Sequence, residues 1–338
     1  LFTFENGNGL FEFKIKSTTA KKALNLLNTL FLQDKKLSIM RQICFTLLFA
    51  ACFFGASAQI IQQTNVFLFD MERANDTTYQ LTNPRYLTEF NSNGYNNHPA
   101  FFSNNELCLS VQMPGDEQPE LYLFDLEKKT RTRLTQTREG EYSPFPMGDG
   151  FRFSAVRQTY GRTDTTLRVW EFPMDRLSDG RPIFKYYTNI GYYYWLSSVQ
   201  MAVFLVDNPN QLAIADTRDD KLTPVATNVG RCFRQLPNGN LAFVAKSNYG
   251  AWELKQKKLY GSRSAPPETI AETLPGAEDF AVLPDGSFIM GKGSRLFRLD
   301  PRAREVEWRE IANLRLYNIN NITRLAISND LKIAIVAD

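Results

Sequence analysis

Histidine occurs once in the 338 residues and cysteine four times. That scarcity leaves little for a zinc site or a histidine-rich catalytic centre. An excess of one charge is also missing. The chain has 39 Lys+Arg against 36 Asp+Glu, a formal charge of +3, whereas a dedicated nucleic-acid binder is usually far more basic. No G-x-S-x-G nucleophile elbow occurs. No long helical periodicity is visible. What remains is 43% hydrophobic and 13% aromatic, which is globular composition.

The basic excess sits at one end. Seven basic and three acidic residues precede Gln59, so the remainder is balanced to within one charge. No methionine precedes Met40. From there the chain reads MRQICFTLLFAACFFGASAQ. Arg41 is a short positive region, Ile43–Phe54 an apolar run, and Ala56-Ser57-Ala58 a small-x-small site. In that order they predict a signal peptide over 40–58, cleaved after Ala58. A transmembrane helix needs about 20 apolar residues, so no membrane span is expected in the mature chain. Residues 1–39 are then expected to be translated upstream sequence or a disordered extension. Phe49-Ala50-Ala51-Cys52 is a poor lipobox without Leu at position −3, which makes a lipid anchor on Cys52 the weaker alternative. Of the cysteines only Cys108 and Cys232 lie beyond the signal. Both sit in apolar strand-like runs and read as two separate buried thiols.

From residue 59 to 338 short β-prone runs alternate with Gly, Asn, Asp and Pro turns, the pattern of an all-β fold. One hairpin recurs as HPAFFSNNELCLSV (98–111), YSPFPMGDGFRFSAV (142–156), YYYWLSSVQMAVFLV (192–206), RCFRQLPNGNLAFVA (231–245), EDFAVLPDGSFIMG (278–291) and ITRLAISNDLKIAIV (322–336). Matching the turns at Asn105, Asp149, Val199, Asn238, Asp285 and Asn329 gives spacings of 39 to 50 residues. A second hairpin lies between these. Its copies begin VFLFD (66–70), LYLFD (121–125), LRVWE (167–171), LAIAD (212–216), WELKQ (252–256) and LFRLD (296–300). The first copy is expected to pair with Tyr86-Leu87-Thr88. Two hairpins per repeat make a four-stranded blade, and six copies predict a six-bladed β-propeller. The chain starts with the second hairpin and ends with the first. The N- and C-terminal half-blades should therefore pair and close the ring, leaving no exposed edge.

His98-Pro99-Ala100-Phe101-Phe102-Ser103-Asn104-Asn105 and Leu283-Pro284-Asp285-Gly286 resemble the P-x-W-S-P-D-G turn of TolB-like, WD40-like propeller repeats. Leu-Tyr-Leu-Phe-Asp resembles that family's third strand. The resemblance covers roughly residues 65–338. The Gly-His…Trp-Asp pair of eukaryotic WD repeats is absent. The first strand begins within ten residues of the expected cleavage site, so no N-terminal TolB domain is expected, and contacts made through it are not carried over. The resemblance implies a periplasmic or secreted six-bladed propeller with a binding role.

Candidate site residues come from the starts of the innermost strands. One column is His98, Tyr142, Tyr192, Arg231, Glu278 and Ile322. The next is Pro99, Ser143, Tyr193, Cys232, Asp279 and Thr323. Only Glu278 and Asp279 are acidic, too few for a calcium cage. No metal, cofactor or catalytic set is expected, and a Ser-His-Asp triad would have to use His98. His98, Tyr142, Tyr192, Arg231, Glu278 and Asp279 are expected at the channel mouth, where loops linking the blades gather. The amides of Asn91–Asn97 should join them. The aromatics Tyr186, Tyr187 and Tyr192–Trp195 read as blade-packing core, since alternate strand residues face opposite ways. Asp216–Asp220 reads as a β-turn.

The expected function is an exported, non-enzymatic binding or scaffold propeller of the cell envelope. It would recognise a protein, peptide or small polar ligand, not nucleic acid. A propeller hydrolase or lyase, and a carbohydrate-binding surface protein, are the alternatives.

Overall fold

The computed structural model describes Lys22, Asn25, Leu26 and Thr29, then residues 62–75, 78–160, 165–259 and 265–338. The chain divides into two units, Leu1–Ile60 and Ile61–Asp338. In the first, the four described residues are helical. The expected signal peptide, its cleavage site, Cys52 and the segment 1–39 otherwise lie outside the described residues. Among the described residues no helix is long and apolar enough to cross a membrane.

The second unit is all-β. It begins with β1 (Asn65–Arg73) and β2 (Tyr79–Tyr86). Blade 1 is β3 (Tyr95–Ser103), β4 (Glu106–Gln112), β5 (Glu120–Asp125) and β6 (Thr130–Arg133). Blade 2 is β7 (Gly140–Pro146), β8 (Arg152–Tyr160), β9 (Thr165–Pro173) and β10 (Arg181–Pro182). Blade 3 is β11 (Ile190–Trp195), β12 (Gln200–Leu205), β13 (Gln211–Asp216) and β14 (Lys221–Thr227). Blade 4 is β15 (Val229–Gln235), β16 (Leu241–Ala245), β17 (Glu253–Lys257) and β18 (Glu268–Glu272). Blade 5 is β19 (Phe280–Val282), β20 (Phe288–Lys292), β21 (Arg295–Leu299) and β22 (Arg309–Asn313). Finally β23 (Ile322–Ile327) and β24 (Lys332–Ala337) join β1 and β2 as blade 6, in the order β2-β1-β24-β23.

The expected closure is therefore present. β1 and β24 run antiparallel in register from Asn65 opposite Ala337 to Asp70 opposite Lys332. A backbone bond reinforces it, from Met71 N–H to the Leu331 carbonyl at 2.7 Å, and Thr64, just before β1, is tied in turn to blade 1. Thr64 N–H donates to the Gly94 carbonyl at 3.2 Å, and its hydroxyl donates to the Asn96 carbonyl at 2.8 Å. One sequence assignment is displaced. The outer strand of blade 6 is Tyr79–Tyr86, and Leu87-Thr88 follows it as connection.

Position in the blade explains residue type. Second strands such as Lys332-Ile-Ala-Ile-Val-Ala337 are buried on both faces, because each blade is stacked between two others. Outer strands such as Thr130-Arg-Thr-Arg133 face water and are polar. The buried apolar residues of the propeller fall into six clusters, one between each neighbouring pair of blades. Burying this surface is the main driving force of the fold. Closure matters because it completes the last two of these layers, one holding Phe69 and Leu283 and the other Leu68 and Leu109. Cys108 and Cys232 are free thiols, both buried, in blades 1 and 4.

Candidate functional site

The innermost strands of all six blades line one central cavity of about 640 Å³. It runs from His98, Arg231, Asp279 and Arg324 to the hairpin turns at Asn104, Pro146, Pro237, Pro284 and Asn329. Its walls mix aromatic and aliphatic side chains, Phe101, Phe145, Tyr194 and Ile327 among them, with polar groups in at least equal measure.

Irregular backbone aims the polar groups inward. Pairing registers slip at Asn97/Ala100, Tyr142/Phe145, Ile190/Tyr192, Val229/Phe233 and Ile322/Arg324, so five of the six inner strands enter the channel through a bulge. Bulges re-aim side chains and recur beside functional sites. His98 and Ser143 occupy equivalent bulge positions, each before a proline, with φ of 54° and 51°. A left-handed backbone costs a non-glycine residue energy and persists only where its surroundings impose it.

At this level side chains cross the channel. The His98 ring stacks on Tyr192, two blades away, at 5.8 Å and 6°. Tyr142 meets His98 edge-on at 5.7 Å, and Tyr95 meets Tyr142 at 6.4 Å. Arg324, in blade 6, lies 5.3 Å from the Tyr192 ring centre in blade 3, the blade directly opposite. Its Nη1 is 3.3 Å from His98 Nδ1, while Ser143 Oγ lies 2.7 Å from the same nitrogen. Burial, then Arg324 and Arg231, holds His98 well below its ordinary pKa. The ring is therefore neutral, and Nδ1 accepts from Arg324.

The other charges divide into two groups. Glu278 is a paired anion. Arg231 Nε donates to its Oε1 at 2.6 Å, and Lys246 forms a second ion pair with it. Burial would raise the Glu278 carboxyl, but Lys246 and Arg231 hold it below its usual range. Asp279 instead accepts the Leu325 N–H at 2.8 Å. Burial raises its carboxyl, against the pull of Arg324 and Arg234. Arg324 and Arg234 themselves form no ion pair among the described residues, and Arg324 Nε has no hydrogen-bond partner.

The six residues singled out in the sequence thus meet at one end of the channel, with two corrections. His98, Tyr192, Arg231 and Asp279 line the cavity, whereas Tyr142 and Glu278 stand behind them as support. The cavity also extends away from the blade-linking loops, toward the hairpin turns. Asn91 and Asn96 do not serve the mouth. Both are buried, and Asn91 Nδ2 donates to Asn96 Oδ1 at 2.9 Å in the network that receives Thr64. Gly94 is required there, since a Cβ would run into the Asn91 side chain and the Gln112 carbonyl. In the aromatic run, Tyr193 is blade-packing core and donates to Ser154 Oγ at 2.8 Å. Tyr192 and Tyr194 face the channel, and Tyr186 is exposed.

Arg324 and Arg234 escaped sequence reasoning, while Ser143 stood in the second column without being singled out. The signal for Arg324 was present but out of register. Leu236, Leu283, Leu196 and Ser328 N–H groups each bond the carbonyl four residues on. This equates Asn238 and Asp285 with Ser198 and Asp330, not with Val199 and Asn329. Shifting those two copies by one residue puts Tyr192 and Arg324 in the column of Cys232 and Asp279.

The architecture is that of a closed six-bladed propeller whose one central cavity is lined by every blade. No family profile matches the sequence, and no curated protein does. Solved structures do match. A chain from Agrobacterium tumefaciens assigned as TolB superposes with a TM-score of 0.58 at 11% identity, over 81% of this chain and 98% of that one. TolB of Acinetobacter baumannii gives 0.50 at 11%, over 81% and 64%. A chain of a nidogen/laminin complex gives 0.56 at 9%, over 81% and 98%. The protein shares the propeller fold of TolB, and at these identities the likeness is one of fold.

Proposed function

We propose that the protein is an exported binding propeller of the cell envelope that takes a peptide or small polar ligand into its central cavity. The observation that carries this reading is the cavity itself. Its volume lies within the roughly 300–1,000 Å³ of ordinary ligand sites. Aromatic and aliphatic side chains share its walls with polar ones, and oriented polar groups gather at the His98–Tyr192–Arg324 crossing; the ligand enters from the hairpin-turn face. Export follows from the signal-like segment at 40–58 and predicts a mature N-terminus at Gln59.

The hydrolase alternative has one observation in its favour, the 2.7 Å contact between Ser143 Oγ and His98. A serine nucleophile needs a base whose cationic form is stabilised by a carboxylate. Here the third group is Arg324, which opposes protonation of His98. That favours binding over acyl transfer.

The test is equilibrium binding of a tetrapeptide library to the full chain and to Ala326→Trp, which fills the cavity wall. Specific binding lost in the variant is expected. Absence of any binding at millimolar peptide sinks the reading.

A further inference from the structure

Buried charges in folded proteins are normally paired, because an uncompensated one is costly. The floor of the cavity departs from this. Arg231 is neutralised by Glu278. Arg234 and Arg324 share only Asp279, which lies close enough to act on both yet forms an ion pair with neither. Among Arg234, Arg324 and Asp279 one positive charge is in excess, and Lys246, which shares Glu278 with Arg231, adds another beside them. Arg324 is also held in place, between the His98 nitrogen and the Tyr192 ring. A guanidinium fixed in this way presents a planar set of donors suited to a planar anion.

We propose that the ligand's leading group is a carboxylate on an apolar stem, bound by Arg324 with support from Arg234. The uncompensated charge calls for an anion, and the planar donors of Arg324, held between His98 and Tyr192 with Nε unpartnered, fit a planar carboxylate. The walls select the stem, since Phe101, Phe145 and Tyr194 line the path to the floor. A peptide C-terminus and a free aromatic acid both present this chemistry. The inference rests on the cavity being the binding site.

The experiment measures binding to the full native chain of three probes: a tetrapeptide ending in phenylalanine as the free acid, the same peptide as its amide, and 3-phenylpropionate. The free-acid peptide should bind at least tenfold more tightly than the amide. Arg324→Met should remove that preference, and Arg234→Met should reduce it severalfold. The acid–amide comparison needs no variant, so a folding defect does not decide it. If 3-phenylpropionate binds as tightly as the peptide, the source is a small acid; if only the peptide binds, it is a chain terminus. Equal binding of acid and amide, lost in Ala326→Trp, overturns the carboxylate and leaves the cavity reading standing. No binding of any probe overturns both.

Discussion

Two polar clusters of this propeller contrast in charge. One lies between blades 1 and 2. Arg157 Nε donates to Glu141 Oε1 at 2.8 Å, Arg133 donates to Glu120 at 3.0 Å, and Thr137 binds both carboxylates, each at 2.8 Å. Arg157 is further sandwiched over Trp170 at 4.2 Å and Phe172 at 4.9 Å. Above about pH 8, where Glu141 is ionised, two cations meet two anions and the cluster cancels itself. The other is the channel floor, where Arg234 and Arg324 face Asp279 alone and a cation is left over. Arg157, Glu141 and Glu120 are buried, whereas Arg234, Asp279 and Arg324 are half-buried at the cavity; each cluster keeps a guanidinium nitrogen without a hydrogen bond, Arg157 Nη2 and Arg324 Nε. A self-cancelling cluster glues blades together, while an unbalanced one at the end of a cavity awaits something from outside.

Removing one arginine from each cluster breaks this comparison most directly. Arg157→Met leaves Glu141 buried without its cation and should cost about 3 kcal/mol, the scale for breaking a buried pair. Arg324→Met removes a charge that nothing balances. Its stability should stay within about 1 kcal/mol of the native chain, since apolar replacement of poorly compensated buried charge is often neutral. Urea denaturation of both variants at about pH 9, where Glu141 is ionised, reads the difference. Equal losses would mean that the channel arginine is structural glue as well.

How far the sequence disclosed this depends on which constraint wrote each residue. The ring, its blade number and its closure were legible, because hairpin turns and apolar second strands recur at each blade. Turn chemistry misled where it was atypical. Gly239 and Gly286 take φ of 81° in their turns, but the equivalent residue of blade 6 is Leu331 at 65°. Without the glycine mark, the register of that hairpin slipped by one and hid Arg324. The convergence of His98, Tyr192, Arg231 and Asp279 was foreseen from their columns. The direction in which the cavity extends was not, because it depends on side chains from opposite blades meeting across the channel. No periodicity within one strand encodes such a meeting.

Acidity separates the clusters next. Burial pushes Glu141 up to about 8 from an ordinary 4.5, against the pull of Arg157. A carboxyl whose folded pKa lies above its unfolded value favours folding fully below the unfolded value. That contribution fades as pH rises through about 8. The native chain should therefore lose stability between about pH 4.5 and 8, and Glu141→Gln should flatten this part of the profile. Gln keeps the acceptor for Arg157 and cannot ionise. Urea midpoints at pH 5 and pH 8.5 for the two chains give the slopes. Parallel slopes would show that Glu141 titrates normally and that its cluster is wetter than its burial implies.

The smallest expected effect on stability belongs to Asp279→Asn. Asparagine retains an oxygen to accept the Leu325 N–H, now bonded at 2.8 Å, and removes only the negative charge. Because burial already disfavours that charge, stability at pH 7 should change by no more than about 0.5 kcal/mol, the range of an ordinary tolerated substitution. Its effect on binding should be larger and of definite sign. With Asp279 neutral, Arg234 and Arg324 face the cavity unopposed, and 3-phenylpropionate should bind severalfold more tightly. Calorimetric titration of the variant measures this directly. Weaker binding would mean that Asp279 orients the arginines more than it competes with the ligand, and the contrast between a neutral cluster and a cationic one would no longer describe how the channel works.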